Sequence, residues 1–167
     1  MNKYFNQKGL TLIELLASLI ITITLSIFAF NLLSKGLDHY ENIKSTNSLR
    51  DEADYLMAVL VKEIYTTKET EITAFHSPQK NTSNYFFEVT KTNTNYKTGF
   101  INGELIIKNN KIGSENPNII ISDKSIITVD DIDKSIYKIN LVLVNKKKKK
   151  EMNFENEIRT INDKEEN

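Results

Sequence analysis

The chain has 167 residues, enough for one domain plus a membrane helix, and carries 22 Lys+Arg against 22 Asp+Glu. That balance gives no global basic field for gathering nucleic acid. The absence of Cys excludes a disulfide framework and thiolate metal sites. Arg50 and Arg159 are the only arginines, so the remaining basic charge is lysine.

The first thirty-four residues set the organisation. Lys3 and Lys8 precede an apolar stretch that runs uncharged from Leu15 to Ser34, twenty residues. A helix of that length spans roughly 30 Å at about 1.5 Å per residue, the thickness of a bilayer's hydrocarbon core. The run exceeds the roughly 7–15 residues of a secretory apolar region, and no small-x-small site closes it. Glu14 stands at its edge, where an ordinary span has no use for an acid.

The sequence Lys8-Gly9-Leu10, with Glu14 as the fifth residue counted from Leu10 and the apolar run behind it, resembles the N-terminus of type IV prepilins and pseudopilins. The resemblance covers about the first 35 residues. It implies a basic leader cut after Gly9 by a prepilin peptidase, N-methylation of Leu10, and a role for Glu14 in filament assembly. The family most often has Phe at the first mature position; this chain has Leu10, another apolar residue. Loss of residues 1–9 removes two lysines and leaves 20 basic against 22 acidic side chains. The lysine placement puts the N-terminus in the cytoplasm by the positive-inside rule, and the resemblance implies the same orientation.

Beyond the span the helical period continues. Leu37, Tyr40 and Ile43 step by three; Leu49, Ala53, Leu56, Leu60 and Ile64 then step by three or four, with Arg50, Asp51, Asp54, Lys62 and Glu63 on the other side. The spacing predicts one helix of about 55 residues, with Gly36 either a bend or a tolerated helical glycine. Thr66–Thr70 weakens helix preference, and His76–Asn81 reads as a loop.

Short β-branched and aromatic runs follow. Strands are predicted at Tyr85–Val89, Tyr96–Ile101, Leu105–Lys108, Ile119–Ile121, Ile126–Val129 and Ile136–Val144, with a last one from Met152 to Ile161. Asn102-Gly103 signals a tight hairpin, and Asn109-Asn110 a turn. Tyr137, Ile139, Leu141 and Leu143 share one face. The expected fold class is α+β, a long N-terminal helix packed on a C-terminal antiparallel β-meander, which is also the pilin-like arrangement the resemblance implies. The divisions are a leader at 1–9, a transmembrane and assembly helix at 10–34, its amphipathic continuation at 35–70, a β-rich extracytoplasmic domain at 71–162 and a tail at 163–167.

Nothing in the sequence points to an enzyme. The five glycines match no phosphate-binding loop, and His39 and His76 have no metal-ligand spacing, so no cofactor or metal is expected. Asp130-Asp131-Ile132-Asp133 lacks the Gly and distal Glu of a calcium loop and reads as a solvated turn. Lys146, Lys147, Lys148, Lys149 and Lys150 form a local positive field that could meet DNA or an anionic surface; without interleaved arginines or aromatics they read first as a solvated hairpin. Asn81-Thr82-Ser83 matches a glycosylation acceptor, which is discounted in a bacterial pilin-like chain.

The expected function is that of a minor pilin or pseudopilin, a structural subunit of a type IV pilus, a type II secretion pseudopilus or a competence pseudopilus. Its partners would be prepilin peptidase, other pilins or pseudopilins and the membrane. It would sit as a single-pass protein in the cytoplasmic membrane with the C-terminal domain outside, then in a cell-surface or periplasmic filament. The alternative is a signal-anchored membrane protein with an extracytoplasmic ligand-binding domain.

Overall fold

The computed structural model describes residues 11–78 and 84–163. The chain divides into two compact units, 1–44 and 45–167. The expected leader, the Gly9-Leu10 junction and the Asn81-Thr82-Ser83 acceptor lie outside the described residues.

Helix α1 runs Leu12–Tyr65, 54 residues. In the first unit every described side chain is exposed, and the apolar ones point in all directions round the helix. The helix is long and apolar enough to cross a membrane, with a mean hydropathy of 2.3 over its most apolar window. Four hydroxyls in this stretch are satisfied on the helix itself. Ser18, Thr22, Thr24 and Ser26 donate to the carbonyls of Leu15, Ser18, Ile20 and Thr22 at 2.7–2.9 Å. In hydrocarbon an unpaired hydroxyl costs several kcal/mol, on the order of 4; these bonds remove that cost.

In the second unit, the last five turns of α1 bury one stripe. Leu49, Ala53, Leu56, Leu60 and Ile64 are all at most 3 % exposed, as their spacing predicts. The helix stops at two threonines: Thr66 Oγ1 donates to the Lys62 carbonyl and Thr67 Oγ1 to the Glu63 carbonyl, taking acceptors the ended helix leaves open.

Among the described residues nine strands follow, after a 3-10 turn at Glu69–Glu71: β1 Ile72–His76, β2 Tyr85–Lys91, β3 Thr94–Ile101, β4 Glu104–Ile107, β5 Asn110–Ile112, β6 Ile119–Ile121, β7 Ile126–Val129, β8 Ile136–Asn145 and β9 Lys150–Arg159. Strands β1 to β5 form an antiparallel meander in strict chain order. Three of its turns, Thr92-Asn93, Asn102-Gly103 and Lys108-Asn109, hold both central residues at positive φ. That conformation matches the right-handed twist of the flanking strands.

The second sheet departs from the simple meander expected. Strands β6 and β7 both pair with one edge of β8, β6 at residues 143–145 and β7 at 137–140, while β9 covers the other edge over ten pairs. Strand β8 is long enough to accept two short strands end to end. The helix stripe and both sheets share one core, which includes Phe87, Phe100, Leu105, Ile127, Tyr137, Ile139, Leu141 and Leu143. Phe87 of β2 meets Tyr137 of β8 edge-on at 4.7 Å and joins the two sheets. The arrangement is α+β.

One expectation is corrected. Glu63, placed on the polar side of α1, is buried. Its carboxylate accepts the Tyr96 hydroxyl at 3.0 Å and meets the Lys108 ammonium at 2.9 Å. Two partners from β3 and the β4–β5 turn offset the desolvation that would otherwise keep an acid outside. Glu52 is buried likewise, its carboxylate accepting the backbone N–H groups of Glu115 and Asn116 at 2.9 and 3.4 Å.

Burial, with the Glu63 hydrogen bond second, pushes the Tyr96 hydroxyl up to about 12. In the unfolded chain it ionises near 10. Below pH 10 both states hold the proton; between about pH 10 and 12 only the folded state does, so stability falls as pH rises through that window. In a fragment of residues 35–167, Tyr96→Phe is expected to flatten this fall while lowering neutral-pH stability by about 1 kcal/mol through the lost hydrogen bond. Urea midpoints measured from pH 8 to 12 check it; parallel curves for the two proteins would contradict it.

Candidate processing and assembly site

Of the three residues singled out for processing and assembly, Gly9 and Leu10 lie outside the described residues and Glu14 is described. Glu14 sits in the first turn of α1, exposed. Its Oε2 accepts the Thr11 backbone N–H at 2.8 Å and the Thr11 hydroxyl at 2.8 Å, while the Glu14 N–H donates to Thr11 Oγ1 at 3.4 Å. This is a capping box: the first residue and the acid three positions on satisfy each other's orphan groups at the helix start.

Thr11 is therefore a site residue that the sequence reading overlooked. The signal was present, since Thr11-Leu12-Ile13-Glu14 is the Thr-x-x-Glu pattern in front of an apolar run. The arrangement fixes the carboxylate at the helix N-terminus, where the macrodipole favours negative charge. Chemically it can hold an amine or another N–H donor, and nothing in it suggests bond-breaking.

The other candidates lie in the second unit, except His39, which is exposed on α1 in the first. His76 stacks on Phe86 at 4.4 Å between centroids and lies 3.4 Å from Glu88 on the sheet surface.

The acidic turn is self-contained. Asp130 accepts the backbone N–H groups of Ile132 and Asp133 and pairs with Lys138 at 3.0 Å. These contacts, the Lys138 ammonium foremost, bring its carboxyl down to about 2. Asp133 is held by Ser135 and by Arg159 at 2.8 Å. The carboxylates that a cation would need already face Lys138 and Arg159. Among the described residues no cluster of three or more His, Asp or Glu could hold a metal ion.

Lys146 to Lys149 form the β8–β9 turn and are exposed; Lys150 opens β9 and its ammonium donates to Thr46 Oγ1. Within the second unit the structure does not bring this cluster together with the acidic turn, which joins β7 to β8, or with His76.

Among the described residues, fold and site define an α+β protein with one helix long and apolar enough to cross a membrane and an acid hydrogen-bonded at that helix's start. No protein-family profile matches the chain, and neither a curated protein nor a solved structure matches it.

Proposed function

We propose that the protein is a minor pilin or pseudopilin, a structural filament subunit cut after Gly9 and assembled through its apolar N-terminal helix. One observation carries this reading: Lys8-Gly9-Leu10 and Glu14 stand in register before a twenty-residue uncharged run. The subunit is inserted with its N-terminus in the cytoplasm, and the β-rich domain lies on the far side of the membrane. Its partners are a prepilin peptidase and other subunits of the same family, in a pilus, secretion or competence filament.

The capping box adds a physical role for the acid. Cutting the Gly9–Leu10 bond creates an α-amine one peptide unit before the Thr11 N–H that Glu14 already accepts at 2.8 Å. An ammonium there can pair with the carboxylate of its own chain or a neighbour's. Among packed apolar helices an unpaired carboxylate costs several kcal/mol, on the order of 3–5, so the pair favours one register of subunits.

Substitution at the junction tests the reading. When expressed with an active prepilin peptidase, the wild-type chain is expected to lose nine residues, seen as a shift in mass. Gly9→Val is expected to keep full length, because a branched side chain crowds the scissile peptide. Full-length wild-type chain beside an active peptidase would instead favour the signal-anchored alternative.

A further inference from the structure

We propose that copies of this chain dock head to tail through the second unit, the β8–β9 turn of one copy seating on a groove across β7, β8 and β9 of the next. The proposal rests on the filament reading above and adds to it a contact whose two surfaces both lie within residues 45–167.

Ile126 and Thr128 of β7, Lys138 and Asn140 of β8, and Glu155 and Glu157 of β9 line a groove of about 470 Å³. They alternate with Ile127, Ile139 and Phe154, which pack in or against the core, so the groove lies on the face turned away from it. Its cation is already paired: Lys138 meets Asp130 at 3.0 Å and Glu157 at 4.0 Å. Glu88, Glu104, Glu151 and Glu157, the other acids of the described strands, each have a lysine within 4.0 Å. The Glu155 carboxylate has neither ion pair nor hydrogen bond among the described residues. Asn140 stands opposite Glu155 in the ladder, and its amide oxygen is buried with no hydrogen-bond partner. A buried acceptor left without a donor costs free energy. An ammonium, with three N–H donors and no acceptor, suits both groups.

The same chain presents ammonium groups on an ordered support. Asn145 Oδ1 accepts the backbone N–H groups of Lys147 and Lys148 at 3.0 and 3.2 Å, and Asn145 Nδ2 donates to the buried Ser45 hydroxyl at 3.1 Å. Lys149 adopts φ 51, a left-handed conformation that glycine takes freely and lysine does not. Lys146, Lys147 and Lys149 are exposed and have no carboxylate within 4.0 Å among the described residues. Lys148 already interacts within its own chain, and the docking charge is that of the other three. A turn ordered beforehand loses less freedom on docking.

The turn cannot fill its own groove. Five residues of β8 separate Asn140 from Asn145, about 17 Å at roughly 3.4 Å per residue. Strands β8 and β9 stay paired over all ten positions, so the hairpin does not fold back on itself. The groove of one copy therefore takes the turn of another. Because the two surfaces differ, each copy keeps one of each to offer, and the contact repeats from copy to copy.

The test uses the full-length, uncut chain in an uncharged detergent. Gly113→Cys places a lone thiol where a new Cβ meets nothing within 4 Å, in a chain with no Cys of its own. Energy transfer between donor-labelled and acceptor-labelled copies is expected at low salt, and is expected to fall in about 0.5 M salt, where screening shortens the field. Lys146→Glu, Lys147→Glu and Lys149→Glu together, or Glu155→Lys alone, placed in both populations, are expected to weaken association about tenfold for each ion pair lost. Turn-reversed donor copies mixed with Glu155→Lys acceptor copies keep one intact turn and one intact groove between them, and are expected to recover transfer. That recovery also shows both variants to be folded. In wild-type protein, a water-soluble carbodiimide is expected to join Lys146, Lys147 or Lys149 to Glu155 in peptides that combine heavy-isotope and light-isotope chains.

Absence of transfer between wild-type copies overturns the proposal. So does transfer that survives both variants, transfer that stays lost in the mixture, or lysine–Glu155 links confined to single-isotope peptides. Because every chain in this test is uncut, such a result counts against the contact and not against cleavage after Gly9, which the peptidase experiment reads separately.

Discussion

Gly99→Ala is expected to destroy the fold of the second unit. Gly99 lies at φ 140 in β3, paired with Phe86 on one side and Ile106 on the other. A Cβ there would stand 2.3 Å from the Tyr85 carbonyl oxygen and 2.7 Å from Phe86 Cα. Both obstacles are backbone, so no side-chain rotation relieves them. The β2–β3 ladder would have to open, and with it the burial of Phe87 and Phe100, each at most 2 % exposed. Strain and lost packing together are expected to cost about 4 kcal/mol or more, close to the whole stability of a small domain. In residues 35–167, circular dichroism and NMR dispersion should show loss of cooperative unfolding. Gly113→Ala, with no atom within 4 Å of the new carbon, is the matched control. A Gly99→Ala protein that melts like the wild type would show that β2 and β3 are not packed as described.

Glu14→Gln is expected to leave insertion and cleavage intact and to lower crosslinking to partner subunits at least tenfold. Glu14 lies at the edge of the uncharged run, so its insertion penalty is below the roughly 2.5–3.5 kcal/mol of a charge at the centre of a membrane helix. Two unit charges about 4 Å apart gain roughly 4 kcal/mol at an effective dielectric near 20, and the amide forfeits that gain. Gln keeps an oxygen that can still accept from Thr11, so the cap survives. Thr11→Val does the reverse, removing the cap hydroxyl while keeping the charge. It is expected to cost about 1 kcal/mol of helix-start stability and to reduce crosslinking less than Glu14→Gln does. Glu14→Gln subunits that crosslink like the wild type would refute the ion-pair role and leave Glu14 with its capping role alone.

The parts of the fold legible in the sequence are those with strong local period or turn chemistry. The Leu49 to Ile64 stripe and the Tyr137 to Leu143 alternation both bury as their spacing predicts. Asn102-Gly103 announces its hairpin because both residues tolerate positive φ. The turns at Thr92-Asn93 and Lys108-Asn109 take the same conformation without a glycine; the first carries no signal that stands out, and the second lies one residue before the Asn109-Asn110 pair that marks it. Strands β1 and β5 are equally silent. Strand β5 is three residues long, and β1 owes its place to pairing with β2, with a register shift between Ile72 and Ala74. Period alone puts Glu63 outside, because its partners Tyr96 and Lys108 lie more than thirty residues away in the chain. At the candidate site Glu14 is legible from its misfit with a membrane span, whereas Thr11 is masked by that misfit. The division of β8 between β6 and β7 depends on long-range pairing that no local pattern announces.

The proposed prepilin processing is decided by N-terminal sequencing of the chain after expression beside an active prepilin peptidase. A processed chain begins Leu10-Thr11-Leu12-Ile13-Glu14. A chain still beginning at Met1 under those conditions would contradict it.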